Sequence, residues 1–496
     1  MSLYEAMWRE LFSVEARSQI SLQAQLRSVI VRSVLERRLA PGASLPSSRK
    51  LAEILGISRN TVTLAYQNLT EEGFLQSIPR VGFVIHANAL RNCAEAVKIA
   101  DPQPGSGPDW NRRIKKRWSL ARHVGKPADW HSYRYPFVYG QFDANVFPSA
   151  QWREVNQLAF RPAALRHWAG DHAETDDPIL IAQIQQQLLP RRGIWVSPDQ
   201  IMVTLGAQQA LYLIAAILVQ RGVTVGVEEP CYPDARNIFA GFGARLIHLP
   251  LDEFGLRPSA AMRKCDYVLV APSHQNPTTI SMPPGRRAEL LDAATKHNFV
   301  LLEDDYDGEL MFTGSANPAI KSLDPKGRVI YIGSLSKTVA PGFRVGYVVA
   351  EPELIKELRA IRRYSIRHPA GNNQRSIGLF LALGYHHGLL KKLIKLYGER
   401  AEVLSKSLRE LMPEVTFREP HGGSSLWASA PPDISMDELG KIAAEHSLLL
   451  DPGSVFFAKG GNENSFRLGF SSIPTRDIRD GIALLARLLR DHAPTG

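Results

Sequence analysis

The chain is poor in cysteine and has no long apolar run. Its three cysteines, Cys93, Cys231 and Cys265, are widely spaced and odd in number, a pattern that fits neither a disulfide framework nor a metal site. No stretch reaches the roughly 18 apolar residues of a membrane span, and no charged-then-apolar leader opens the chain. These absences predict a protein of a reducing cytoplasm that has no membrane partner.

Acidic residues are scarce at one end only. The 496 residues carry 59 lysines and arginines against 49 aspartates and glutamates, a formal net charge of +10. Residues 1–135 hold 20 of the basic and 11 of the acidic side chains, a net +9, so the rest of the chain is almost neutral. Such asymmetry is typical of a nucleic-acid-binding end on a near-neutral body. A basic surface that serves only solubility is the alternative that charge leaves open.

In residues 18–86, apolar residues recur at helical spacing and are followed by two short runs typical of β-strands. Apolar residues recur at helical spacing from Leu22 to Val34, and a second helical segment ends at Gly56. Ser58 is placed to cap a third helix. Two short apolar runs then flank Pro79-Arg80, which predicts a hairpin or wing. Helix, turn, helix and wing in this order indicate a winged helix-turn-helix.

Residues 87–135 are rich in proline, glycine and charge. The stretch from Asp101 to Pro108 is the clearest case, and this composition predicts a linker. Within it, Trp110–Trp118 places five basic side chains and one isoleucine between two tryptophans. Two interpretations stay open: a solvated linker with a docking tryptophan, or an auxiliary contact with DNA phosphates.

Strand-like apolar runs alternate with helical ones from residue 136 to 490. The predicted buried strands lie at 201–204, 223–227, 267–270, 299–302, 329–332 and 345–349. This alternation predicts an α/β domain with a mostly parallel sheet. The chain is therefore divided into a DNA-binding domain over 18–86, a linker over 87–135 and an α/β domain over 136–490.

One lysine stands in an unusual setting, at the end of Gly333-Ser-Leu-Ser-Lys337. It follows an apolar run, whereas a lone lysine is usually on the surface. Pyridoxal 5'-phosphate (PLP) needs a lysine for an internal aldimine, an acid for its ring nitrogen, and donors for its phenolate and phosphate. We therefore predict that Lys337 forms the aldimine, while the hydroxyls of Ser334 and Ser336 and the guanidinium of Arg344 bind the phosphate.

Other residues follow in an order that resembles a PLP-dependent aminotransferase of fold type I. The resemblance implies an α/β large domain plus a small C-terminal subdomain. It also implies that Asp304 keeps the pyridine nitrogen protonated and that Tyr232 stacks on the ring. Asn276 and Tyr306 would reach the phenolate oxygen.

The same resemblance assigns residues to the two ends of the ligand site. Ala207 and Gln208 open a helix after a strand, where N–H groups suit a phosphate. Arg467 matches the arginine that binds a ligand carboxylate. Because Arg467 would otherwise be an unpaired cation in the pocket, we expect the ligand to carry an anionic group.

The N-terminal motifs resemble the GntR family of winged helix regulators. The matching elements are 39–42, 45–49, 56–62, 65–66 and 72–74. A recognition helix places its first residues at base edges in the major groove, where Arg59 can pair with a guanine and Asn60 can read a base edge. The DNA-binding set implied by the resemblance is Arg49, Ser58, Arg59, Asn60, Thr61, Thr63, Arg80 and Gly82.

Together the two halves resemble the MocR subfamily of GntR regulators, from about residue 20 to 485. The resemblance implies a bacterial cytoplasmic transcription regulator that binds double-stranded DNA as a head-to-tail homodimer. When bound to DNA, it would be associated with the nucleoid. Its aminotransferase-like domain would sense a small amino compound through aldimine exchange at Lys337 and control genes for that compound's transport or catabolism.

Some segments of the chain point to one branch of that subfamily. Those at 189–193, 276–279 and 367–375 are similar to the branch that controls use of taurine, ectoine derivatives and related amino compounds. The GABA-sensing relative has an arginine two residues after the stacking tyrosine, and this chain has Asp234 there. That difference disfavours GABA as the effector.

Two other functions compete with regulation. A working PLP-dependent aminotransferase with an appended DNA-binding domain is one, because every residue that transamination needs is present. A regulator with a degenerate cofactor pocket is the other, and the intact Asp304, Lys337 and Arg344 argue against it. The intact helix-turn-helix motif and the excess of basic residues in the first quarter of the chain favour regulation over catalysis.

Overall fold

The computed structural model describes Trp8 and residues 20–89, 108–314 and 317–492. The chain divides into two compact units, one up to Arg113 and one from Ile114 onward. Cys93 and most of the proline-rich stretch 101–108 lie outside the described residues. Cys231 and Cys265 are buried free thiols.

The first unit is a winged helix-turn-helix, which confirms the prediction. Its elements are α1 (Leu22–Leu35), α2 (Ser48–Leu55), α3 (Arg59–Glu71), β1 (Leu75–Ile78) and β2 (Gly82–Ile85), followed by the one-turn α4 (Trp110–Arg113). β1 and β2 pair antiparallel, with Leu75 opposite Ile85. Their connection, residues 79–81, forms the tip of the wing.

Polar side chains and one glycine set the helix ends. Ser47 Oγ accepts a hydrogen bond from the Lys50 amide at 3.2 Å, and Ser58 Oγ accepts one from the Thr61 amide at 3.1 Å. These bonds satisfy N–H groups that have no partner inside the helix. Gly56 ends α2 at a φ of 67°, a left-handed conformation that glycine adopts without steric cost. The turn before α3 is therefore set by local residues.

An apolar core joins the helices of this unit. Leu26 and Val62 are fully buried. Tyr66 is also buried, and its hydroxyl donates to the Pro46 carbonyl at 3.0 Å. Leu22, which begins the apolar series in the sequence, is exposed, because the first turn of α1 extends past the core.

The second unit combines an eight-stranded, a four-stranded and a two-stranded sheet with helices. Its strands are β3 (Tyr135–Pro136), β4 (Ile201–Thr204), β5 (Thr224–Glu229), β6 (Arg245–Asp252), β7 (Gly255–Leu256), β8 (Tyr267–Val270), β9 (Val300–Asp305), β10 (Val329–Ser334), β11 (Gly346–Val349), β12 (Thr416–Phe417), β13 (Ser425–Ser429), β14 (Leu448–Leu449), β15 (Asp451–Pro452) and β16 (Ser465–Gly469). Its helices are α5 (Ser149–Ala159), α6 (Pro162–Trp168), α7 (Pro178–Gln183), α8 (Ala207–Leu218), α9 (Pro233–Gly241), α10 (Pro284–His297), α11 (Pro352–Ser365), α12 (Gly371–Ala382), α13 (Tyr385–Leu411), α14 (Met436–Glu445) and α15 (Thr475–Asp491). Across the described residues, no helix is both long and apolar enough to span a bilayer.

The large sheet has the order β4-β11-β10-β9-β8-β5-β6-β7. β6, β5, β8, β9 and β10 run parallel to one another, which confirms the predicted α/β fold. β11 is antiparallel to both of its neighbours. The connection 335–345 explains this, because it is too short for the crossover that parallel pairing requires.

A smaller antiparallel sheet lies in the C-terminal part of the unit. Its order is β12-β13-β16-β15, and it packs with α13, α14 and α15 around one apolar core. Leu404, Phe466 and Ile482 are fully buried in that core. A large domain with a small C-terminal subdomain is thus present, as the sequence predicts.

The second half of the predicted linker lies against the second unit. Trp118 packs on Gly241 so closely that an added Cβ would lie 1.9 Å from the indole. Lys116 Nζ donates to the Gly241 carbonyl at 2.9 Å, and Asn237 Nδ2 donates to the Arg122 carbonyl at 2.8 Å. Trp118 is therefore a docking tryptophan. The phosphate contact of this segment and the domain limits at residues 86 and 135 stay predictions.

Candidate functional site

The carboxyl ends of parallel strands bring the predicted ligand residues to one edge of the large sheet. β4, β5, β8, β9 and β10 all end there, and such an edge is where open α/β sheets bind ligands. A cavity of about 460 Å³ lies at this edge, lined by Tyr232, Asn276, Lys337 and Arg467 among others. This volume suits a small organic ligand.

Lys337 is half-buried at the centre of this region. Its Nζ lies 4.4 Å from the centroid of the Tyr139 ring, and an added Cβ on Gly140 would lie 2.1 Å from it. Burial lowers the pKa of Lys337 to about 8, because an apolar environment disfavours the charged amine. Since only a neutral amine is a nucleophile, the lowered pKa increases the fraction of the reactive form near neutral pH.

Asp304 is a buried carboxylate at the end of β9. Among the described residues its Oδ1 has no hydrogen-bond partner, which is uncommon for a buried acceptor. Burial, with the negative charges of Asp305 and Asp307, raises the pKa of Asp304 to about 7. The neighbouring Asp305 differs, because Arg192 Nε donates to it at 2.7 Å. Asp304 has no such ion pair among the described residues, so its Oδ1 can accept a hydrogen bond from a ligand.

A positive site forms where Arg344 meets the start of α8. Arg344 Nη2 donates to the Leu205 carbonyl at 2.8 Å, and an added Cβ on Gly206 would lie 3.0 Å from the same nitrogen. Ala207 and Gln208 are the first residues of α8, where N–H groups lack partners inside the helix and the dipole is positive. The guanidinium of Arg344 and the start of α8 together favour the binding of an anion.

The two serines before Lys337 differ in what they offer. Ser334 Oγ accepts a hydrogen bond from the Ser336 amide at 3.2 Å. Ser336 Oγ is buried and, in the part of the chain that the structure describes, has no partner. The Ser336 hydroxyl is therefore wholly free to bind a ligand, and the Ser334 hydroxyl still has its O–H group to donate.

A polar cluster joins the starts of α8 and α9. The Tyr232 hydroxyl donates to Asp234 Oδ2 at 3.1 Å and lies 3.3 Å from Gln208 Oε1. Gln208 Nε2 donates to the same Asp234 oxygen at 3.2 Å. This cluster fixes the ring of Tyr232 and places the negative charge of Asp234 on the cavity wall.

Asn276 and Tyr306 are both held by neighbours. The Tyr306 hydroxyl donates to the His274 carbonyl at 2.7 Å, and Asn276 Oδ1 accepts from Arg467 Nη1 at 3.1 Å. Their predicted contact with a phenolate oxygen stays a prediction. The structure does bring both side chains to the edge that carries Lys337.

Arg467 has a counter-ion, so the expectation that it is an unpaired cation is wrong. Its Nε and Nη2 donate to Asp451 Oδ2 at 3.0 and 2.8 Å. Its guanidinium carbon lies 4.0 Å from the Tyr139 ring centroid and 4.7 Å from that of Phe456. Separating a buried ion pair costs about 3–5 kcal/mol. The charge of Arg467 is therefore largely engaged within the protein.

Three neighbours of the site were not anticipated: Tyr139, Gly140 and Asp451. Tyr139 lies between Lys337 and Arg467. A glycine directly after a strand-like run, as at Gly140, often marks a close approach by another group, and this was the available signal. Asp451 precedes Pro-Gly and resembles a turn residue in sequence, so no local pattern indicates its pairing.

The predicted DNA-binding cations are exposed in the first unit. Arg59 and Asn60 lie at the start of α3, and Arg49 lies on α2. Arg80 is at the tip of the wing with a φ of 66°. Because they are exposed, these side chains can reach a ligand.

The predicted hydroxyl contacts are already used locally. Ser58 Oγ and Thr61 Oγ1 are 2.9 Å apart, and Thr63 Oγ1 donates to the Arg59 carbonyl at 2.9 Å. Gly82 is half-buried at the start of β2. The role of these residues at DNA stays a prediction.

Comparisons with known proteins divide the chain in the same two parts. Residues 22–85 match the family described as bacterial regulatory proteins, gntR family, and residues 142–485 match aminotransferase class I and II. Among solved structures, α-aminoadipate aminotransferase LysN of Thermus thermophilus, complexed with N-(5'-phosphopyridoxyl)-L-leucine, is similar. It is 26% identical with a TM-score of 0.71 and covers 77% of this chain and 99% of that one.

Two relatives are similar along both parts. The HTH-type transcriptional regulator TauR of Rhodobacter capsulatus is 37% identical over 97% of this chain and 99% of that protein. The probable rhizopine catabolism regulatory protein MocR of Rhizobium meliloti is 30% identical over 94% of this chain and 93% of that protein. Because the similarity spans both of its parts, the chain belongs to the MocR-type transcriptional regulators, in which a GntR winged helix-turn-helix is fused to an aminotransferase domain of fold type I.

Proposed function

We propose that this regulator binds PLP at Lys337 and senses a small primary amine that takes the place of Lys337 on the cofactor. The genes under its control would serve transport or catabolism of that amine. The observation that carries the proposal is the proximity of Lys337 to Asp304, whose buried Oδ1 has no partner among the described residues, on a chain that also carries a GntR domain.

The donor set fits PLP. Asp304 Oδ1 and Ser336 Oγ are buried polar atoms without partners among the described residues, and they match the needs of a ring nitrogen and a phosphate. Arg344, with the start of α8, would hold the same phosphate. PLP supplies an aldehyde that condenses with primary amines and a ring that withdraws electrons. Lys337 would hold it covalently, with Tyr232 against the ring and Asn276 and Tyr306 on the phenolate.

The effector is then a primary amine, because only an amine can replace Lys337. TauR, the relative at 37% identity, supports the branch that includes taurine regulators. Arg467 remains a contact for the effector, through the N–H groups that Asp451 and Asn276 leave unused. We propose in addition that the protein acts as a head-to-tail homodimer on double-stranded operator DNA, which places it at the bacterial nucleoid.

Signalling requires two states that the effector distinguishes. An amine that frees Lys337 and fills the cavity would favour one closure state of the aminotransferase domain. The coupling to DNA affinity can be no larger than the difference in effector affinity between those states. Typical couplings of about 1–3 kcal/mol change affinity roughly 5- to 150-fold.

Lys337→Ala tests the proposal. The variant should stay folded but lose the yellow absorbance of the Lys337–PLP link after dialysis. An operator fragment is first selected from random DNA with the wild-type protein. Amines that change the absorbance of the wild type should change its operator affinity, and this response should be absent in Lys337→Ala.

Lys326→Ala is the matched control, because Lys326 is an exposed lysine elsewhere in the same unit and should keep both responses. If Lys337→Ala answers the amine as the wild type does, sensing is by simple binding and exchange at Lys337 is not the switch. Sustained turnover of an amino donor and a keto acceptor would instead favour the alternative, a PLP-dependent aminotransferase with an appended DNA-binding domain.

A further inference from the structure

A short segment that the sequence assigns to the linker forms a wall of the ligand cavity. Residues 123–126 line the cavity that holds Lys337 and Arg467. Residues 120–125 and Pro127 also line a second cavity, of about 650 Å³, next to the small sheet. The segment 121–127, here named the strap, therefore runs between two cavities.

Hydrogen bonds of Arg122 attach the start of the strap to the rest of the second unit. Arg122 Nη2 donates to Ser454 Oγ at 3.2 Å, and the Arg122 carbonyl accepts from Asn237 Nδ2 at 2.8 Å. Within the described ranges, residues 123–129 make no hydrogen bond to the large or small sheet or their helices. Beyond the strap, the Arg134 amide donates to Ser447 Oγ at 2.9 Å. In the described part of the chain, the span between these attachments is therefore not fixed by hydrogen bonds to the rest of the second unit.

The cavity needs a further cation if its ligand is anionic. Arg467 is paired with Asp451 and also donates to Asn276. Its charge is thus compensated before any ligand arrives. On the Tyr232 side of the cavity, Asp234 repels an anion. An anionic group would therefore be directed away from Asp234.

Lys126 is the strap residue that can supply this cation. It is exposed and lines the cavity. No carboxylate of the described part of the chain forms an ion pair with it. It is close enough to Asp451 for its positive charge to oppose the rise that burial causes in the pKa of Asp451. Lys126 and Arg467 thus lie on the same side of the cavity.

We propose that Lys126 binds the carboxylate or sulfonate of the effector and so selects anionic amines over uncharged ones. This inference rests on the proposed function, since it concerns the ligand of the same cavity.

The test compares amines of similar length that differ in charge. β-Alanine and taurine carry an anionic end, and n-propylamine does not. Calorimetry measures their binding to PLP-loaded full-length protein, wild type and Lys126→Gln. We expect the wild type to prefer both anionic amines, and Lys126→Gln to lose about tenfold of that preference, as for one charged hydrogen bond. The affinity for n-propylamine should be unchanged.

Two variants complete the experiment. Lys126→Arg should restore the preference for anionic amines. Lys441→Gln, at an exposed lysine on the second cavity, should leave it intact. A wild type without preference for anionic amines, or an equal loss for charged and uncharged amines in Lys126→Gln, would overturn the role of Lys126. Failure of the protein to take up PLP is a separate result that overturns the proposed function itself.

Discussion

At the scale of single residues, the site sets protonation states that suit covalent capture of an aldehyde. Burial lowers the pKa of Lys337 to about 8, whereas an ordinary lysine titrates at about 10.4. Burial and neighbouring carboxylates raise the pKa of Asp304 to about 7. A lysine with a lowered pKa and a carboxylate with a raised pKa thus lie near each other at one edge of the large sheet.

The pKa of Lys337 predicts how fast the protein binds PLP at different pH values. The neutral fraction of the amine grows as pH rises through about 8 and is nearly complete about one unit above. The rate at which the yellow absorbance appears after apoprotein is mixed with PLP should therefore rise through pH 8 and level off near pH 9. The same reaction with N-acetyl-lysine amide corrects for titration of PLP and should keep rising. A protein rate that also keeps rising past pH 9.5 would show that Lys337 is not desolvated.

At the scale of secondary structure elements, α3 carries the residues that would determine operator choice. Arg59 is exposed in the first turn, which Ser58 caps. Arg59→Ala should weaken operator binding by about 1–3 kcal/mol, the value of a two-bond contact with a base. A gel shift on the selected operator measures this change.

Arg32→Ala provides the control for the recognition helix. Arg32 is equally exposed but lies in the last turn of α1, so its loss should leave operator affinity nearly unchanged. Operator affinity that is intact in Arg59→Ala would mean that α3 does not enter the major groove in the expected way.

At the scale of the whole molecule, the positive charge is concentrated in the first 135 residues, which carry a net +9. Each phosphate that a basic side chain neutralises contributes about 0.9 to the slope of log affinity against log salt. If the Trp110–Trp118 segment touches phosphates, Lys115→Gln should reduce this slope by about 1 with sequence preference retained.

Lys264→Gln removes an equal charge from an exposed site in the second unit and should leave the salt slope unchanged. Binding is measured from low to moderate salt on the operator and on unrelated DNA. An unchanged salt slope in Lys115→Gln would mean that the segment does not contact phosphates. Its role would then be docking alone, as in the packing of Trp118 on Gly241.

Much of this architecture follows from local sequence. Ser58 and Gly56 set helix ends through bonds and dihedral angles within a few residues. Apolar runs identify the strands, and the parallel sheet then places Asp304 and Lys337 at one edge, because parallel strands end on the same side. The sequence alone therefore predicts that Asp304 and Lys337 lie near each other, and the structure brings them together.

Other features were decided only by tertiary structure. The pairing of Arg467 with Asp451 depends on the register of β15 against β16. The place of Tyr139 between Arg467 and Lys337 joins segments that lie far apart in the chain. Lys126 lies in a segment without periodicity, whose composition indicates a linker. Its position on the cavity wall depends on Trp118 and Arg122 docking against distant residues. Sequence patterns record the local preferences of the backbone, whereas the partner of a charged side chain depends on which distant surfaces meet when the chain folds.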